Sequence, residues 1–196
     1  IVFGDWSSDV CSSDLPKETG KAPCMIVFCE FKQQFYLIEL AKKYGINNYI
    51  NLVFRKNFSA QVLKANMRVV GNAEYARLLY RDKLPKFNNG GKMIFNVMDW
   101  VKDTDSEKIH PTQKPVGLLK TLIQIFTDEG DVVIDPVAGS GSTLIAAIEC
   151  NRKAFGFEIK KDFYAKANEW IKRTEAQGIL FKDHHRKQRY GEQQCI

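Results

Sequence analysis

One stretch constrains the fold more than any other: Asp135-Pro136-Val137-Ala138-Gly139-Ser140-Gly141-Ser142-Thr143. It joins a short apolar run at 131–135, with Val132, Val133 and Ile134, to a segment with helical character at 142–150. An apolar run of that length bounded by turn residues reads as a buried strand. Glycines at 139 and 141 let the backbone turn sharply and approach a ligand closely. The helix that follows presents unsatisfied N–H groups and the positive end of its dipole. A strand, a tight glycine turn and a helix in this order predict an α/β domain with a ligand at the turn.

A second strand is predicted at 153–159, carrying the acid Glu158 fifteen residues after Thr143. An acid at the tip of the next strand is placed to accept hydrogen bonds from both hydroxyls of a ribose. The turn matches neither G-x-G-x-x-G nor G-x-x-x-x-G-K-[ST], which disfavours a dinucleotide or a nucleoside triphosphate. Upstream, His110-Pro111-Thr112-Gln113-Lys114-Pro115-Val116 precedes a helix predicted over 116–126 from Leu118, Leu119, Leu122, Ile123 and Phe126. The two prolines restrict the backbone, Thr112 is a candidate cap, and Lys114 is a candidate cation for a carboxylate.

The rest of the chain fits one domain. Strands are predicted at 25–29, 49–54 and 74–81, and an amphipathic helix at 31–44 with Gly45 at its C-cap. Strand, helix, strand at 25–54 predicts a parallel crossover. Residues 82–108 carry Pro, Asn and Gly breakers and read as a mostly irregular excursion. A helix follows at 162–175, and the basic tail 182–189 reads as solvated or frayed. Of the 196 residues 44% are hydrophobic and 27% charged, the balance of a globular protein. Net charge +6 favours a polyanionic partner such as nucleic acid. Five scattered cysteines point to free thiols in a reducing cytoplasmic compartment and to no metal site. No apolar run approaches the roughly 20 residues needed to span a bilayer.

Residues 5–15, Asp-Trp-Ser-Ser-Asp-Val-Cys-Ser-Ser-Asp-Leu, show neither helical nor strand period. They resemble a translated sequencing adapter, so residues 1–15 are expected to be artefactual or disordered and the native frame to begin near Pro16.

"HPTQKP", a helix, "DPVAGSGST", a helix and "FGFEI" together resemble the β-group of DNA N6-adenine and N4-cytosine methyltransferases, of phage and restriction–modification type. The resemblance covers residues 16–175. It implies a doubly wound, Rossmann-like α/β fold of S-adenosylmethionine-dependent methyltransferase type, circularly permuted, with S-adenosyl-L-methionine as cofactor and double-stranded DNA as partner. It further implies that Asp135, Pro136, Ala138, Gly139, Ser140 and Gly141 wrap the methionine part of the cofactor. Glu158 would bind the ribose, and Thr112 and Lys114, with His110 nearby, would face the methionine carboxylate. The basic stretch Arg55, Lys56, Asn57, Lys64 and Arg68 would face DNA, with 82–108 as a small target-recognition insert.

The chain departs from that family at one point. The catalytic Asp/Asn/Ser-Pro-Pro-Tyr/Trp/Phe motif, whose polar groups hold the target amino group while its ring stacks on a flipped base, is missing. No Pro-Pro pair occurs anywhere in the sequence. The expectation is an N-terminally truncated enzyme, inactive alone, whose sheet lacks the catalytic strand and exposes the apolar runs 132–134 and 25–28. The competing readings are a non-catalytic cofactor- or DNA-binding pseudoenzyme, a methyltransferase acting on RNA or protein, and a nicotinamide dehydrogenase.

Overall fold

The computed structural model describes residues 2–4, 24–57, 71–84, 86–104, 106–110 and 112–191, with the backbone alone for 2–4 and 178–191. Its centre is a seven-stranded mixed sheet. The strands are β1 (Val2–Gly4), β2 (Cys24–Cys29), β3 (Asn48–Lys56), β4 (Ala73–Tyr80), β5 (Val97–Trp100), β6 (Val132–Asp135) and β7 (Lys153–Gly156), and their spatial order is β5-β3-β4-β2-β1-β6-β7. The helices are α1 (Gln33–Lys43), α2 (Val116–Phe126), α3 (Ser142–Glu149) and α4 (Lys161–Gly191).

Sequence periodicity accounts for most of these elements. α2 places Val116, Leu118, Leu119, Leu122, Ile123, Ile125 and Phe126 in the interior. A fully buried aliphatic or aromatic side chain contributes about 1.5–3 kcal/mol, so α2 is the main cover of the sheet's inner face. On β3 the inner face takes Ile50, Leu52 and Phe54, and on β4 it takes Ala76 and Leu78. α3 packs against α2, and α4 against α3. α1 lies on the opposite face. Its Gln34 accepts a hydrogen bond from Arg77, and Phe31, just before it, meets the Tyr75 ring edge-on at 5.7 Å. Arg77 and Tyr75 alternate with Ala76 and Leu78, so they point away from α2. Helices on both faces agree with the doubly wound expectation, although most strand pairings here are antiparallel.

α1 ends as the sequence predicts. Gly45 takes φ +72°, and Ile46 N–H reaches back to the Ala41 carbonyl, the 6→1 bond of a left-handed helix cap. At the same, amino end of the strands Arg152 ties two further helix ends together. Its Nε donates to Thr127 Oγ1 at 2.8 Å and one terminal nitrogen to the Thr127 carbonyl at 2.7 Å, while the other reaches the Cys150 carbonyl.

Five expectations change. The gap foreseen beside β6 is filled: β1 pairs antiparallel with both β2 and β6, and Val132, Val133 and Ile26 are buried. Residues 2–4 are therefore strand rather than disordered, while 5–23 lie outside the described residues. β2 and β3 run in the same direction, as a crossover requires, but β4 sits between them, antiparallel to each. The stretch 82–108 is less irregular than its breakers imply, because β5 joins the sheet parallel to β3. Finally, α4 continues through the basic tail to Gly191, which is helical backbone rather than frayed chain.

Candidate cofactor site at the carboxyl edge of the sheet

β6 delivers Asp135 into the glycine turn. Asp135 Oδ1 accepts from Val137 N–H at 3.1 Å, which starts the bend. Gly139 (φ +55°) and Gly141 (φ +80°) take left-handed conformations that L side chains disfavour. Gly141 N–H closes onto the Ala138 carbonyl at 2.8 Å, and α3 begins at the next residue. Ala138, Ser140, Ser142 and Thr143 are buried, whereas Pro136 and Val137 are exposed. Beyond the last ladder residue, Phe157 N–H donates to the Asp135 carbonyl at 3.0 Å and Ala138 N–H to the Phe157 carbonyl at 2.9 Å. These two bonds stitch the turn to the chain leaving β7. They also explain why β7 stops at Gly156 although the apolar pattern continues.

Glu158 lies directly beside the turn. Its Oε2 accepts from Gly139 N–H at 2.9 Å and its Oε1 from Lys160 N–H at 2.8 Å. A carboxylate has about four lone-pair sites, so two remain for further donors such as a pair of hydroxyls. A Cβ built on Gly139 meets nothing within 4 Å, which leaves open space over the turn. Gly156 is the opposite case: a Cβ there would stand 2.7 Å from Leu144 Cδ1 and 3.0 Å from Ala138 Cβ.

The segment 110–115 crosses the same edge. The His110 ring sits edge-on to Phe163 of α4, with centroids 4.5 Å apart. Thr112 N–H donates to His110 Nδ1 at 3.2 Å, which makes that nitrogen an acceptor, and the Thr112 hydroxyl lies 2.9 Å from it. Thr112 therefore does not cap α2. Asp103 does, accepting from Val116 N–H at 3.1 Å across thirteen residues of sequence. Gln113 Oε1 accepts from Ile109 N–H at 3.0 Å. Pro111 lies outside the described residues. Lys114 Nζ donates to Glu74 Oε2 at 2.6 Å and sits 5.1 Å and 5.3 Å from the ring centroids of Phe28 and Trp100.

Strand directions place all of this at one edge. β2 and β6 are both antiparallel to β1, so Cys29 and Asp135 mark the same end of the sheet. Cys29 faces Tyr75 across β2 and β4, which brings Glu74, and with it Lys114, to that end too. Glu158 and Lys114 thus share the carboxyl edge, where ligands of open α/β sheets bind.

The basic candidates separate. Arg55 is exposed and donates from Nε and a terminal nitrogen to Asp99 Oδ1, at 3.0 and 2.7 Å. Lys56 is not a solvated surface lysine: it is 8% exposed, bonded to Glu74 and 4.7 Å from the Trp100 ring centroid. Strand alternation after Leu52 and Phe54 points it inward. Lys64 and Arg68 lie outside the described residues. Sequence reasoning missed Glu74, Phe28, Trp100, Phe163 and Asp103. The sole sequence signal for Glu74 was an acid in alternation with Ala76 and Leu78 on the inner face of β4. A separate groove of about 930 Å³, lined in part by Lys102, Glu107, Lys120 and Arg173, contains neither the turn nor Glu158. Among the described residues no group of three His, Cys, Asp or Glu side chains is placed to hold a metal, and no helix is long and apolar enough to cross a membrane.

This is a Rossmann-like α/β fold with a glycine turn and an adjacent acid, Glu158, at the carboxyl edge of its sheet. Residues 17–169 match the profile of the DNA methylase family of N6/N4 type, and the chain belongs to that family. It is 34% identical over 161 residues to the DNA adenine methyltransferase YhdJ of Escherichia coli (strain K12), a match covering 81% of this chain and 47% of that protein. It is 37% identical over 109 residues to the type II methyltransferase M2.DpnII of Streptococcus pneumoniae, covering 54% and 40%. The chain thus spans about half the length of these curated relatives. Among solved structures, the M1.HpyAVI–SAM complex superposes with a TM-score of 0.63 at 27% identity, covering 74% of this chain and 72% of that one. The cytosine-N4-specific PvuII DNA methyltransferase shares the fold, with a TM-score of 0.59 at 17% identity over 74% and 62%.

Proposed function

We propose that this chain is the cofactor-binding part of an S-adenosyl-L-methionine-dependent DNA amino-methyltransferase. The observation that carries the reading is Glu158, seated against Gly139 with carboxylate capacity to spare at the carboxyl edge of β6 and β7. The open space over Gly139 and the free lone pairs of Glu158 suit a ribose with two hydroxyls. Asp135 and the buried Ser140 shape the turn, whose N–H groups and helix dipole favour the negative end of a ligand. Lys114 and Thr112 reach the same edge from the segment before α2 and suit an amino-acid carboxylate.

When bound, the cofactor supplies an electrophilic sulfonium methyl, so the protein's task is orientation and exclusion of water. The residues of this chain bind and orient. None of them forms the Asp-Pro-Pro-Tyr-type motif, so methyl transfer by the chain alone is expected to be absent. Homology to YhdJ favours adenine N6 over cytosine N4 as the acceptor. Within 82–108, the part following Trp100 lies at the cofactor edge, and it is this part, with Arg55, that is proposed to face double-stranded DNA. Asn88 instead bonds the Thr127 carbonyl and Asp128 at the opposite edge.

Equilibrium dialysis of the purified chain against S-adenosylmethionine and, separately, NAD tests the reading. Saturable retention of S-adenosylmethionine at one site per chain, with none of NAD, is expected. Retention of NAD alone, or of neither, would overturn it.

A further inference from the structure

Glu74 serves two cations with one carboxylate. Oε1 binds Lys56 and Oε2 binds Lys114, and the three side chains are 26%, 9% and 26% exposed in the order Glu74, Lys56, Lys114. Burying one anion with two ammonium groups is costly unless the geometry is fixed and a further favourable contact exists. Trp100 lies against both lysines and Phe28 against Lys114, so part of that contact is ring electrostatics. The three residues come from β3, β4 and the segment before α2, with Glu74 and Lys114 forty residues apart. Lys114 is also one end of a short bridge. Four residues earlier, His110 rests on Phe163 of α4, five residues after Glu158. The bridge is thus fastened to β4 at one end and beside the glycine-turn half of the sheet at the other.

From this arrangement we infer that Glu74 is a positioning residue for the cofactor: it holds the Lys114 ammonium at the carboxyl edge, with Lys56 as the second anchor, so that Lys114 meets the amino-acid carboxylate of the ligand. The inference rests on the cofactor reading given above. Glu74 itself touches no ligand. Lys114 is the less buried of the two cations on Glu74, so it is the one an incoming carboxylate can reach. A purely structural Glu74 would affect every ligand of the site alike. A positioning Glu74 affects only ligands that carry the carboxylate.

That difference sets the experiment. Calorimetric titration of the chain with S-adenosylmethionine and with 5′-methylthioadenosine, which keeps the nucleoside and lacks the amino acid, is run on wild type, Glu74→Gln and Lys114→Met. A charge-assisted contact is lost with the pairing, so S-adenosylmethionine binding should weaken roughly tenfold or more in both variants, while methylthioadenosine binding stays within about twofold. Unchanged S-adenosylmethionine affinity in Glu74→Gln, or equal weakening of both ligands, overturns the inference and leaves the cofactor reading standing. Loss in Glu74→Gln without loss in Lys114→Met also overturns it, because Lys114 is the group through which Glu74 acts. Failure of wild type to bind either ligand defeats the cofactor reading itself.

Discussion

Replacing Gly156 with Ala should damage the site by crowding. The added methyl would stand 2.7 and 3.1 Å from the two Leu144 terminal carbons and 3.0 Å from Ala138 Cβ, against an ordinary carbon–carbon contact of about 3.5–4.0 Å. Leu144 is 7% exposed and held in α3, and Ala138 is part of the glycine turn, so neither withdraws freely. Overpacking of this kind costs about 1–3 kcal/mol. With a urea slope near 2 kcal/mol/M, the unfolding midpoint should fall by about 0.5–1.5 M. The strain falls on Ala138, whose N–H is bonded to the Phe157 carbonyl one residue before Glu158, so ligand affinity should fall with stability. Gly139→Ala is the control for stability alone, since its Cβ enters the space proposed for the ligand. Its Cβ meets nothing, and only the φ of +55° penalises it, by about 1–2 kcal/mol. A Gly156→Ala variant with an unchanged midpoint would refute the argument that close packing of β7 on α3 sets the turn.

Other elements give sharper local tests. Arg152→Ala removes the donors that close the ends of α2 and α3 and should cost about 2–3 kcal/mol in denaturant unfolding; a loss under 0.5 kcal/mol would contradict that role. Burial pushes the Glu74 carboxyl up, but the hydrogen bonds from Lys114 and then Lys56, with their charges, outweigh it and leave the group below its ordinary value. Its contribution to stability is therefore present above the unfolded carboxylate range and lost as pH falls through the depressed folded value. Acid unfolding of Glu74→Gln should lack that component, and superimposable wild-type and variant curves would count against it. Burial drives the Cys24 thiol up to about 12, the backbone bond and terminal charge lowering it only in part. Mass mapping after brief alkylation at pH 8 should find Cys24 unmodified while the more exposed Cys29 reacts; early labelling of Cys24 would argue against the buried β2.

The parts legible in the sequence were those fixed by local rules. α2 runs Val116–Phe126 as its apolar spacing predicts, because that face alone decides its burial. The turn and Glu158 were legible because both are set by distance along the chain. What stayed hidden depends on tertiary partners. Lys56 read as a DNA-facing cation, yet alternation along Leu52, Phe54 and Lys56 turns it inward to a carboxylate eighteen residues away. Asp103 caps a helix it precedes by thirteen residues. β5 forms in a segment of turn residues because β3 offers it a parallel edge. β1 likewise forms from residues set aside as foreign, in the slot between β2 and β6.

The central claim, that the turn and Glu158 form the cofactor cradle, is most directly tested by following the backbone amide resonances of the ¹⁵N-labelled chain during titration with S-adenosylmethionine. Saturable shifts at Gly139, Gly141 and Lys160, lost in Glu158→Ala, are predicted. Saturable shifts confined to the groove between Val101 and Arg173, with the Gly139 amide unmoved, would contradict the account.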